Sequence, residues 1–75
     1  MKLQELLKYH EGGLAQRCVS IYQRVNEKTH YFFEEEEQGK ILACESYREI
    51  AERGVRRFSV IGGGMYPAEL YIEIE

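Results

Sequence analysis

Aspartate is missing from this chain: all 13 acidic residues are glutamates. A Ser-His-Asp constellation is therefore excluded, and His10 and His30 stand in no triad spacing with the hydroxyl residues. The expectation is a protein that is not an enzyme. Long apolar runs are also missing. The hydrophobic stretches are too short and too often broken by charge to span a bilayer, and a secretory leader is not expected. There are only two cysteines, Cys18 and Cys44, which in a reduced, cytoplasmic setting act as small core thiols. Zinc needs three or four ligands, and the two histidines fall outside finger spacing, so neither a metal nor a cofactor is expected.

What is present is modest in size and slightly acidic. Ten basic residues against 13 acidic ones leave a net charge of -3, which gives no general attraction to phosphate backbones or anionic lipid. Leu3, Leu6 and Leu7 have little positive charge behind them, so no membrane association is expected either. Seventy-five residues make one domain, residues 1–75. A chain of this size buries only about 60 to 65% of its unfolded surface, which makes a second copy, and hence a homodimer, a natural source of extra stability.

The hydrophobic pattern predicts an α+β fold. Its expected form is an antiparallel sheet of four to five short strands with two short helices on one face, ordered as N-terminal helix, β hairpin, helix and β hairpin. The leucines of Met1 to His10 recur at helical spacing, and Gly12-Gly13 should end that helix. Val19 and Ile21 share one face of a strand from Arg17 to Val25. Asn26-Glu27-Lys28 is the turn into a second strand, Thr29 to Phe33. Gln38-Gly39-Lys40 is then expected to reverse the chain into a third strand, Lys40 to Cys44, placing an acidic run near the tip of a second hairpin.

The C-terminal part carries the plainest local signals. Ser46-Tyr47-Arg48-Glu49 has the form of a capping box, Tyr47, Ile50 and Ala51 make an inward stripe, and Gly54 suits a left-handed helix exit. Phe58 and Val60 are expected to face the core, with Arg57 and Ser59 outward. Leu70, Ile72 and Ile74 alternate with Glu69, Tyr71, Glu73 and Glu75 as a half-buried strand, so Arg57 can pair with glutamates of that strand. Gly62, Gly63 and Gly64 lead to Met65, Tyr66 and another strand rather than to a helix. They therefore predict a hairpin loop with Met65 and Tyr66 as apolar contact points, not a phosphate cradle.

Two charged features define the functional expectations. Glu34, Glu35, Glu36 and Glu37 lack the alternating oxygen ligands and fixed glycine of a calcium loop. Together with Glu69, Glu73 and Tyr71 they predict a non-catalytic protein-interaction domain whose acidic surface takes a basic protein partner. The alternative is a small nucleic-acid-binding module. In it Arg53, Arg56 and Arg57 would contact phosphates beside Tyr47 or Tyr71. Of the two thiols, Cys44 is the better placed for reactivity, since it lies two residues before the predicted helix cap.

The order of segments resembles that of small proteins encoded by phages and prophage-like elements of Gram-positive bacteria. The likeness rests on Leu3-Gln4-Glu5-Leu6-Leu7, on Val19-Ser20-Ile21 with the hairpin after it, on the tyrosine-containing segment, and on the pair Val55 to Ile61 and Leu70 to Ile74. It covers most of the chain and assigns no catalytic residue. The resemblance implies an accessory or host-interaction role, including inhibition of a host protein. The Glu34 to Glu37 run is the main departure from the pattern.

Overall fold

A computed structural model describes residues 1–9, 18–63 and 66–75. The elements run α1 (Leu3–Tyr9), β1 (Cys18–Val25), β2 (Lys28–Glu36), α2 (Gln38–Ala43), α3 (Glu45–Ile50), β3 (Val55–Gly63) and β4 (Tyr66–Ile74). The fold is α+β, with a four-stranded sheet in the order β2-β1-β4-β3. The two hairpins are antiparallel, but β1 and β4 meet in parallel, with Ile21 opposite Ile72. The sheet is thus mixed, where the alternation of apolar residues had suggested an all-antiparallel one. Alternation reports which side of a strand is buried and is the same for either direction of its neighbour. Among the described residues no helix is long and apolar enough to cross a membrane.

One face of the sheet carries the core. Val19 and Ile21 of β1 and Leu70, Ile72 and Ile74 of β4 are buried against Leu3, Leu6 and Leu7 of α1, Ile41 of α2, and Tyr47, Ile50 and Ala51 of the α3 region. These side chains are brought together by period two on the strands and by i, i+3, i+4 spacing on the helices. The short helices also complete each other's hydrogen bonding. The amides of Leu3 and Gln4 donate to the carbonyls of Arg53 and Ala51 at 2.9 Å each, so the start of α1 is closed by the chain leaving α3. At the other end of α1, buried Gln38 donates its Nε2 to the carbonyl of Leu7 at 3.1 Å.

Several expectations are corrected. Lys40 to Cys44 is not a third strand. Gln38 to Ala43 forms a helical turn and a half in which Glu37 O accepts from the amides of Lys40 and Ile41. Gln38 and Ile41 lie three residues apart and are both buried, which an extended strand would place on opposite faces. The Gln38-Gly39-Lys40 segment is accordingly the opening of this helix, and the predicted hairpin from Thr29 to Glu45 does not form. The helix after it begins at Glu45, with Cys44 rather than Ser46 as its N-cap and no side-chain cap bond. The Ser46 hydroxyl instead meets the Cys44 sulfur, so the capping box is not made.

Phe58 and Val60 are the largest departure from the predicted core. They stand opposite Ile72 and Leu70, yet they are 51% and 54% exposed, because the helices cover β1 and β4 and leave the β3 edge open. Gly54 is not in the left-handed region, and a Cβ there would lie 2.8 Å from a carboxylate oxygen at the end of the flexible Glu75 side chain, which can swing aside. The positive φ values needed for chain reversal are at Asn26 and Glu27, 51° and 68°, the pattern of a two-residue hairpin turn. The predicted stop at Gly12-Gly13 lies outside the described residues, as do Gly64 and Met65. Gly63 is paired with Tyr66 across the antiparallel β3–β4 hairpin, and Gly62 has φ 98°.

Candidate functional site

The acidic run sits where β2 loses its regular register. Between Ile21 and Tyr22 of β1 the facing residues on β2 step from Phe33 to Tyr31, so Phe32 is an inserted residue. Such a bulge turns two successive side chains toward one face. Phe32 and Phe33 are in fact both half-buried against the core, which strict alternation forbids. A second irregularity follows between Val19, opposite Glu36, and Ile21, opposite Phe33. Here Glu35 adopts φ 50°, and its amide donates to the Ser20 hydroxyl at 3.0 Å. A glutamate in the left-handed region is strained by about 1 kcal/mol or more, and this hydrogen bond helps hold it there.

The two irregularities open a cleft of about 500 Å³ between β2 and α2. Phe32, Phe33 and Ile41 supply its apolar lining. Glu34, Glu36 and Tyr31 flank it from the strand side, with Lys40 and Cys44 from the helical side. Among the lining residues two carboxylates stand against one ammonium, and both glutamates are exposed. Glu35 belongs elsewhere: its charge acts on Tyr71, on the sheet face away from the helices. Glu37 provides the extended residue before α2. The four glutamates therefore divide, with only Glu34 and Glu36 at the cleft.

The aromatic residues of β2 are supported by neighbours. Phe32 meets His30 edge to face at 4.9 Å between ring centres, and the Arg53 guanidinium lies 5.4 Å from the Phe32 ring centre. Tyr31 packs against Tyr22 at 5.6 Å. Cys44 Sγ is 3.1 Å from Ser46 Oγ. That hydrogen bond, aided by the backbone amides of Ser46 and Tyr47, holds the thiol below its ordinary pKa.

Glu69, Tyr71 and Glu73, which alternate with the buried Leu70 and Ile72, lie on the other face of the sheet. Glu69 accepts from the Tyr71 hydroxyl at 3.0 Å, a bond that favours the protonated phenol and raises its pKa. Glu73 is buried, its carboxylate 3.6 Å from Arg57 Nε and 3.8 Å from an Arg56 terminal nitrogen. The pairing of Arg57 with this strand was legible from alternation; that Arg56 joins it follows from a register shift between Val55 and Arg57. The three arginines are thus split, two on Glu73 and one on Phe32.

Sequence reasoning identified Glu34 and Glu36 but missed their companions. The usable signal was the Phe32-Phe33 doublet, two large apolar residues in succession where a half-buried strand shows alternation. Lys40, Ile41 and Cys44 were hidden because their segment reads equally as strand or helix over so few residues. No protein-family model, curated protein or solved structure matches the chain.

Proposed function

We propose that this protein is a non-catalytic interaction module that takes a basic segment of a protein partner into the cleft between β2 and α2. The observation that carries this reading is the placement of Glu34 and Glu36 beside the apolar surface of Phe32, Phe33 and Ile41. An apolar floor with a few polar groups at its edge is the common form of a binding pocket, in which burial supplies affinity and charge supplies selection. A segment with one large apolar side chain flanked by Lys or Arg is complementary on both counts. Glu69 and the Tyr71 hydroxyl lie on the opposite sheet face and do not join this contact. An accessory role directed at a host protein, as implied by the phage-protein resemblance, is one setting for such a module.

A nucleic-acid module built on Arg53, Arg56 and Arg57 has less support. Phosphate binding would have to compete with Glu73 for two of the arginines, and the third lies over Phe32. The test is fluorescence anisotropy of a labelled arginine-leucine peptide, with a glutamate-leucine peptide and a single-stranded oligonucleotide as comparisons. Binding of the basic peptide alone, weakened by salt and by Glu34→Gln/Glu36→Gln, is expected. Preference for the oligonucleotide, or equal binding of both peptides, would overturn the reading.

A further inference from the structure

The two edges of the sheet are unlike. On β2 the edge is broken by two bulges, a left-handed glutamate and a run of charge, all features that discourage another strand from pairing. On β3 the edge shows Phe58, Val60 and Ile61, each more than half exposed at 51%, 54% and 55%. Its register with β4 is regular from Arg57 to Ile61 and shifts on either side, between Val55 and Arg57 and between Ile61 and Gly63. The outer side of the chain at Gly54 and Val55 is already occupied, since Lys2 bridges Gly54 and the Val55 amide donates to the Met1 carbonyl at 2.8 Å. What remains is a short, regular, apolar edge centred on Ser59.

We propose that β3 pairs with β3 of a second copy of this chain, antiparallel, about a two-fold axis through Ser59. This register is self-complementary. Phe58 of each copy falls opposite Val60 of the other, and Arg57 opposite Ile61. No like charges are juxtaposed. The axis stands perpendicular to the sheet, so both helical layers lie on the same side and the two Phe58-Val60 pairs close into one apolar cluster between them. On the other face, the Arg57 stem lies along Ile61 of the second copy, whose own neighbour on β4 is Glu69. The charged end of Arg57 stays with Glu73 on β4 of its own copy. The result is a continuous eight-stranded sheet whose remaining outer edges are the two bulged β2 strands.

Five paired residues make a small contact beside the roughly 1,600 Å² of a standard interface, so the association is reversible and concentration-dependent. Sedimentation velocity over a concentration series tests it, on the full chain and on Val60→Lys and Phe58→Lys. Both substitutions fall on exposed side chains, and circular dichroism checks that the variants fold. The expected result is a monomer-to-dimer shift in wild type that either lysine removes. A Ser59→Cys chain in which Cys18 and Cys44 are serine should also form a disulfide-linked dimer on mild oxidation, and a chain with cysteine at Arg48 instead should not. A wild type that stays monomeric at its highest soluble concentration, a dimer that survives both lysines, or equal crosslinking from positions 48 and 59 would overturn the proposal.

Discussion

Phe58 and Ile72 are direct neighbours in the β3–β4 register, yet Ile72 is fully buried and Phe58 is half exposed. The boundary of the core runs between these two strands. Truncating Ile72 leaves a cavity under the helices, and Ile72→Ala should cost about 2–5 kcal/mol, enough to unfold much of so small a domain. Phe58→Ala should change stability by no more than about 1 kcal/mol, measured by urea unfolding at a protein concentration that keeps the chain monomeric. Equal losses would move the boundary of the core out to β3.

Glu73 holds two arginines, and the pair terms should not add. Its own side chain is 3% exposed while those of Arg56 and Arg57 are 58% and 70% exposed, so solvent screens each contact and either arginine alone can serve. Arg56→Ala or Arg57→Ala should each cost about 0.5 kcal/mol. Removing both strands a buried carboxylate, and the double variant should lose more than the sum, on the order of 2 kcal/mol. A double-mutant cycle by chemical denaturation reads the difference.

The β1–β2 turn offers a stabilising change. Asn26 and Glu27 both have positive φ, a conformation in which glycine carries no side-chain penalty. Glu27→Gly creates the Asn-Gly pair favoured in such turns and should raise stability by about 0.5–1 kcal/mol, visible as a higher melting temperature. A lower melting temperature would argue that the turn has another geometry.

How much of this was legible beforehand differs by segment. The half-buried strand Leu70 to Ile74, the leucines of α1 and the inward stripe Tyr47, Ile50 and Ala51 could be read from periodicity, because burial imposes it. Phe58 and Val60 show the same alternation without the burial, since periodicity records which side a residue faces and not whether anything covers it. Ser46 and Glu49 satisfied the capping-box pattern, but the N-cap lies two residues earlier, at Cys44, and the Ser46 hydroxyl turned to the Cys44 sulfur. At the cleft the glutamates were visible and the geometry was not. Bulges at Phe32 and Glu35 depend on pairing with β1, which no single strand's sequence contains.

Cys44 provides a pH-dependent readout beside the cleft. Its thiol pKa is lowered chiefly by the Ser46 hydroxyl, which stabilises the thiolate. A depressed folded value means that this contribution is present above the unfolded thiol pKa and is lost as pH falls through the folded one. Alkylation by iodoacetamide, followed at Cys44 by mass spectrometry, should therefore reach its midpoint at lower pH in the folded chain than in urea. Ser46→Ala should shift that midpoint upward. Coincident folded and unfolded profiles would contradict the assigned hydrogen bond.

The central claim, that the cleft between β2 and α2 receives a basic, apolar segment, is tested most directly by amide chemical-shift mapping. The ¹⁵N-labelled protein is titrated with the arginine-leucine peptide. The account predicts saturable shifts concentrated at Tyr31 to Glu36 and Lys40 to Cys44, and their loss in Glu34→Gln/Glu36→Gln. Shifts centred on Arg56, Arg57 and Glu69, or no saturable shifts at all, would contradict it.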